Sequence, residues 1–323
     1  MLVVLLAYPT SSVVSTTKQK LQSDRAQDEK PGKQSTRDKK AESAPLRVRL
    51  NVTVFDSSNR PVTDVSQVDF QVFENNVQQT ITSVTQRDGP LSFGLLVDCS
   101  GSLRFQNSDL IRAGRSIIAN MKPEDEAFVI RFISHDKITL IQDWTSNRTK
   151  LNSKLNEIYP EGGESAIVDA VYIAAQHIAE RRKLETSPHR HALVLITDGE
   201  DRMSYYNLEQ LLKLMRDSDL QIFVIGLVQQ IEGIKPQEMA MGLLNALANE
   251  TGGRVFLMDR KLELQEISAE IAKERDAQYL IEYNSTNGAR DGSFRKVRVT
   301  IKEKDGRDKR IALTRLGYAV PGK

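Results

Sequence analysis

Phe93-Gly-Leu-Leu-Val-Asp98-Cys-Ser100-Gly-Ser102 decides how the rest of the chain is read. It is an unbroken apolar run, bounded by Gly89-Pro90 before it and by small polar residues after it. Such a run reads as a strand buried on both faces, as in parallel sheets covered by helices. It stops at one carboxylate followed by two hydroxyls at alternate positions. Open α/β sheets hold their ligands in the loops leaving the C-terminal ends of their strands, so Asp98, Ser100 and Ser102 are the first candidate site residues.

Outward from this strand, residues 91–275 alternate buried runs with helical periodicity, the pattern of an α/β domain built on a doubly wound, mostly parallel sheet. Strands are expected over Phe93–Asp98, Ala127–Phe132, Ala192–Thr197, Gln221–Leu227 and Arg254–Met258, with Lys137–Trp144 as an antiparallel edge strand. Helices are expected over Asp109–Met121, Arg148–Ile158, Ala166–Arg182, Leu208–Asp217, Gln237–Asn249 and Leu262–Arg275.

The flanks have a different period. In residues 46–90, Val48, Leu50, Val52 and Val54 alternate with polar residues, and Phe70–Phe73 and Ile81–Val84 follow, with Glu74-Asn-Asn-Val77 as a hairpin turn. Residues 276–323 offer Gln278–Tyr283, Phe294–Ile301 and Arg310–Leu313, with turns at Asp291-Gly and Asp305-Gly. Roughly forty residues of strand cannot form a core alone, so the two flanks are expected to pair into one small β-sandwich-like domain around the inserted α/β domain.

Residues 1–45 begin with the apolar run Met1–Ala7, which resembles a remnant export signal, and continue as a Lys-, Gln- and Ser-rich tether expected to be disordered. A secreted, periplasmic or cell-envelope location is the expectation, with a cytoplasmic one as the alternative. The formal net charge of +2 gives no reason to expect nucleic acid, and no stretch is long enough to span a bilayer. The single cysteine, Cys99, excludes an intrachain disulfide and is read as a small apolar filler.

Three loops should converge at the C-terminal edge of the sheet: Asp98–Ser102, Gly162-Gly-Glu-Ser165 and Thr197-Asp198-Gly-Glu-Asp201. Ser165 is read as a helix-opening hydroxyl of the kind that caps helices, and Glu200 and Asp201 as solvated helix-entry residues. Glu164 is close enough in sequence to compete for a cation at this edge. Together the loops offer only hard oxygen ligands, which suit Mg²⁺, Mn²⁺ or Ca²⁺ rather than zinc. Ser100 has no partner histidine identifiable from sequence, and His135, His177, His189 and His191 read as ordinary surface or loop residues, so no catalytic residues are assigned.

Asp98-x-Ser100-x-Ser102, then Ser165, then Thr-Asp198-Gly resembles the metal-ion-dependent adhesion site (MIDAS) of von Willebrand factor type A (VWFA) domains. The resemblance implies Asp98, Ser100, Ser102, Ser165 and Asp198 as metal ligands. Ser165 stands where that family has threonine; it keeps the hydroxyl but lacks the methyl that restricts the rotamer, which implies weaker or more conditional binding. In relatives the last helix, here Leu262–Arg275, is the usual moving part. Val62-Thr with Asp69-Phe-x-Val-Phe-Glu-Asn upstream, and Asp291-Gly-Ser-Phe-Arg-Lys-Val-Arg-Val with Gly317-Tyr-Ala-Val-Pro321 downstream, resemble the acidobacterial VWFA-related type. The function implied is a non-enzymatic, adhesion-type protein-binding module that captures an acidic group of a protein partner through the metal. An intracellular adaptor for a MoxR-type ATPase and a metal-dependent hydrolase remain as alternatives.

Overall fold

The computed structural model describes residues 45–322 apart from 88, 188, 217, 259–263 and 304–308. The N-terminal apolar run, almost all of the tether, the Asp305-Gly turn and the first residues of the expected last helix therefore lie outside the described residues. The N-terminal flank forms β1 (Arg47–Phe55), β2 (Pro61–Val62), β3 (Phe70–Glu74), β4 (Val77–Gln79) and β5 (Ile81–Gln86). The central segment runs β6 (Leu91–Asp98), α1 (Asn107–Ala119), β7 (Glu126–Phe132), β8 (Ile138–Thr145), α2 (Arg148–Leu155) and α3 (Ile167–Arg182). It continues with β9 (Arg190–Thr197), α4 (Leu208–Arg216), β10 (Leu220–Gly226), α5 (Ile234–Thr251), β11 (Val255–Leu257) and α6 (Leu264–Asp276). The C-terminal flank adds β12 (Gln278–Asn284), β13 (Phe294–Ile301), β14 (Ile311–Leu313) and β15 (Gly317–Ala319).

The central sheet has the order β11-β10-β9-β6-β7-β8. All neighbours are parallel except β7 and β8, so the edge strand following β7 is antiparallel, as its short connection requires. Alternation along β6 explains why both faces are covered. Phe93, Leu95 and Val97 pack with Leu110 and Ile117 of α1 and Ile271 of α6, whereas Leu96 packs with Ile167 of α3 and Leu244 of α5. Leu95 and Leu96 are fully buried, and each such side chain contributes about 2 kcal/mol of transfer free energy. The chain crosses to one side of β6 to make β7 and to the other side to make β9. The crevice at the C-terminal ends of β6 and β9 is thus the topological switch point, where a ligand is expected.

The flanks hydrogen-bond to each other. β1 pairs antiparallel with β12 and β14, β5 with β12, and β3 with β13. The two terminal sheets share one apolar cluster containing Leu50, Val52, Val72, Ile281 and Val299. The hairpin between β3 and β4 turns on Asn75 (φ 47°) and Asn76 (φ 67°), residues that reach the left-handed region at low cost. These sheets contact the N-terminal edge of the central sheet: Asn51 Nδ2 donates to Asp219 Oδ1 (2.7 Å), and Gln278 Nε2 to Gln221 Oε1 (2.5 Å). The switch point lies at the other end of the eight-residue β6, about 23 Å away at the usual rise per residue.

Candidate functional site

β6 ends on Asp98, whose carboxylate is completely buried. Ser100 N donates to Oδ1 (2.9 Å), while Thr197 Oγ1 (2.6 Å) and Ser165 Oγ (2.9 Å) both donate to Oδ2. Ser100 Oγ lies 3.1 Å from Ser102 Oγ, and the Ser102 hydroxyl in turn bonds the Asp198 carboxylate, whose Oδ1 also accepts from Glu200 N (3.0 Å). All five residues singled out in the sequence therefore fall on one hydrogen-bonded chain. Asp98, Ser100, Ser165 and Asp198 are buried; Ser102 is exposed at the mouth.

Backbone bonds hold the three loops in register. Gly101 N donates to Gly163 O (2.9 Å), Ala166 N to Ile133 O (2.7 Å), and Arg202 N and Met203 N to Ser165 O (2.9 Å each). At Gly101 the loops approach so closely that an added Cβ would stand 3.2 Å from the Gly162 Cα. Gly199, at φ 90°, turns the chain directly after Asp198 in a conformation that side-chain-bearing residues rarely adopt.

The electrostatics are one-sided. Burial, reinforced by the neighbouring Asp198 charge, pushes Asp98 up to about 6 against the pull of its hydrogen bonds from Thr197 and Ser100. Burial also raises Asp198. Among the described residues, neither carboxylate forms an ion pair with a Lys, Arg or His. Arg202 is engaged by Glu200 (2.6 Å) and more distantly by Glu164 (3.7 Å). Two buried carboxylates and three hydroxyls, with no cation paired to them, are a donor set that fits a hard divalent ion. Cys99, buried beneath the loop, has its thiol pushed up to about 12 by burial and the Asp98 charge, consistent with an inert filler.

Several sequence readings need correction. Ser165 is not an exposed cap; it is 3 % exposed, its hydroxyl points to Asp98, and the N-cap position of α3 is Ala166, without a side-chain cap bond. The capping is done by Asp201, expected to be solvated, whose Oδ1 accepts from Ile167 N (2.7 Å) and Val168 N (3.3 Å) at the start of α3. Asp169 reciprocates by accepting from Tyr205 N and Tyr206 N (2.8 Å each). Glu164 is exposed and faces Arg202, away from a ligand role. His191 is buried rather than superficial and lies 2.8 Å from Glu185 Oε1, and His177 stacks on Trp144.

Thr197 and Asp201 were the missed positioning residues. Thr197 carried the only available signal, a polar side chain closing an otherwise apolar strand. Among the described residues, Glu126, Glu185 and His189 also come within 4.8 Å of one another. That group sits at the opposite edge of the sheet, with Glu126 engaged by Arg181 and Ser92 and Glu185 by His191.

Residues 94–270 match the von Willebrand factor type A domain model. No curated protein is significantly similar in sequence. Among solved structures, the chain is similar to a conserved hypothetical protein BatB from Bacteroides thetaiotaomicron, at 20 % identity over 58 % of this chain and 98 % of that one, with a TM-score of 0.45. It is also similar to an aerotolerance-related membrane protein from Bacteroides fragilis bearing multiple mutations to serines, at 21 % identity, the same coverages and a TM-score of 0.45. A von Willebrand factor type A protein from Catenulispora acidiphila matches at 11 % identity over 85 % of this chain and 73 % of that one, with a TM-score of 0.48. With the family model covering more than half its length, and the doubly wound sheet to match, this chain belongs to the von Willebrand factor type A domain family.

Proposed function

We propose that the chain is a non-enzymatic, adhesion-type binding module that captures a carboxylate of a protein partner through a divalent cation held by Asp98, Ser100, Ser102, Ser165 and Asp198. Family membership supports a protein-interaction role, and domains of this family often bind a divalent metal. The observation that carries the reading is the pair of buried carboxylates without an ion-pair partner among the described residues, hydrogen-bonded through neutral hydroxyls to an exposed Ser102. Such a pair is costly to bury unless a cation completes it. Mg²⁺ bound there, ligated largely by neutral hydroxyls, would keep enough positive charge to attract an acidic side chain.

The chain's own groups supply the rest. Thr197 orients Asp98, and Asp201 and Asp169 tie the third loop to the start of α3. Exposed apolar side chains stand on the same three loops: Phe105 (90 %) just after Ser102, Tyr159 before Gly162, and Tyr205 (81 %) after Asp198. Aromatic side chains dominate interface hot spots, so the favoured partner segment has an acidic residue beside apolar ones.

The test is interferometry of immobilised peptides carrying Asp or Glu beside aromatic or aliphatic residues, in Mg²⁺ and in EDTA, with Asn and Gln counterparts. Binding that requires both the acid and the metal supports the proposal. Peptide binding unchanged by EDTA, or by the amide substitution, rejects it.

A further inference from the structure

The sheet β15-β13-β3-β4 has two unlike faces. Its inner face, with Val72, Val297, Val299 and Tyr318, belongs to the apolar cluster of the flanks. Strand register fixes what stands on the other face. Phe294, Lys296, Arg298 and Thr300 follow one another at alternate positions of β13, opposite Ala319 and Gly317 of β15 and opposite Phe73 and Gln71 of β3, and Gln78 of β4 lies opposite Phe73. These outward positions carry two cations and two aromatic rings and no Asp or Glu.

A groove of about 560 Å³ runs over this face, walled by the Asn75-Asn76 turn on one side and by Arg216 and Glu250, at the C-terminal ends of α4 and α5, on the other. The turn is fixed to β13, since Asn75 N donates to Lys296 O (2.9 Å) and Lys296 N to Asn75 Oδ1 (3.0 Å). Arg298 Cζ stands 4.2 Å from the centre of the Phe73 ring, and Arg216 Cζ 4.4 Å from that of Phe294. A guanidinium laid on a ring is held in place while its N–H donors stay free along its edge, the geometry that takes a carboxylate. Arg216 uses its Nε–H on Glu250 (2.5 Å), whereas Lys296 and Arg298 are exposed. Leu316, 50 % exposed, adds an apolar side chain to the groove.

We propose that this face docks an acidic segment of a protein partner, with carboxylates on Arg298 and Lys296 and an apolar side chain against Phe294 and Leu316. The charge complementarity is set by the face itself, and the volume is that of a site for a few residues. A nucleic acid is a poorer match, because it calls for a longer track of cations and for free rings on which to stack bases, and one side of each ring here is taken by a guanidinium. The site uses no residue of the Asp98 cluster and needs no metal.

The experiment is fluorescence anisotropy of dye-labelled Asp-Glu-Asp-Leu-Glu-Asp, of its neutral counterpart Asn-Gln-Asn-Leu-Gln-Asn and of oligo-dT, titrated with the full chain in EDTA, which silences any metal-mediated capture at Asp98. It is repeated with Lys296→Gln combined with Arg298→Gln, and with Lys150→Gln, an exposed cation of α2 outside the groove. The expected result is saturable binding of the acidic peptide, about tenfold or more tighter than its neutral counterpart, lost in the double variant and kept in Lys150→Gln. Four results would overturn the proposal: the acidic peptide does not bind; acidic and neutral peptides bind equally; the double variant binds as the wild type does, or Lys150→Gln loses as much; or oligo-dT binds more tightly than the peptide. The comparison of acidic with neutral peptide uses the unaltered protein, so it decides the matter even if the double variant does not fold.

Discussion

The two ends of the central sheet treat buried charge differently. At the C-terminal ends of β6 and β9, two carboxylates are buried with hydroxyls and backbone N–H groups as their partners. At the N-terminal ends, carboxylates and guanidiniums are matched in pairs. Paired charges serve structure, and unpaired buried charges mark where a ligand is expected. The same strands, read from opposite ends, thus carry carboxylates held by neutral groups at one end and ion pairs at the other.

Breaking a matched charge at the N-terminal end should have the largest effect. Asp125 is fully buried and accepts from Leu91 N (2.9 Å), Lys122 N (2.7 Å) and Arg275 Nη1 (3.0 Å). Asp125→Ala should lower unfolding free energy by about 3–5 kcal/mol in a urea titration, because it removes the buried acid from Arg275 and strands two backbone donors. A loss below about 1 kcal/mol would show that pairing at this end is decorative.

Glu274 sharpens the same end by pH. It pairs with Arg254, yet burial outweighs that partner and raises its carboxyl to about 7. A carboxyl raised in the folded state stabilises relative to the ionised form below its unfolded value, and that advantage is lost as pH climbs through the folded value. Stability of the wild type relative to Glu274→Gln should therefore fall between pH 5 and pH 8, by up to about 3 kcal/mol. Thermal melts across that range that run parallel would contradict the assignment.

At the C-terminal end the effects should be smaller and specific. Thr197→Val keeps the shape but removes the donor to Asp98 Oδ2, and should cost about 1.5–3 kcal/mol of stability near neutral pH. A thermal melt unchanged from wild type would show that this donor is dispensable. Ser165→Thr restores the rotamer restriction that the resembling motif has. It should tighten Mg²⁺ binding by a few-fold in a calorimetric titration, and weaker binding would show that the pocket around Ser165, itself 3 % exposed, has no room for the methyl.

Much of the fold was legible because it is written in local pattern. The apolar runs of β6, β9 and β10 could only be buried strands, and Asn75-Asn76 could only be a tight turn. The short strands β2 and β15 were not legible, since two or three residues become strand only through partners distant in sequence. The convergence of Asp98, Ser165 and Asp198 followed from strand order. Asp201 capping a helix 34 residues earlier, and Ser165 turned inward to Asp98, did not, because both depend on how loops from different crossovers meet.

Calorimetric titration of Mg²⁺, Mn²⁺ and Ca²⁺ into metal-free protein, beside Asp98→Asn, tests the central claim most directly. The account predicts one saturable site, weakened at least a hundredfold in the variant, whose metal-free form melts higher than wild type because a buried unpaired charge is gone. Absence of saturable binding to the wild type, or equal binding to both proteins, would contradict it.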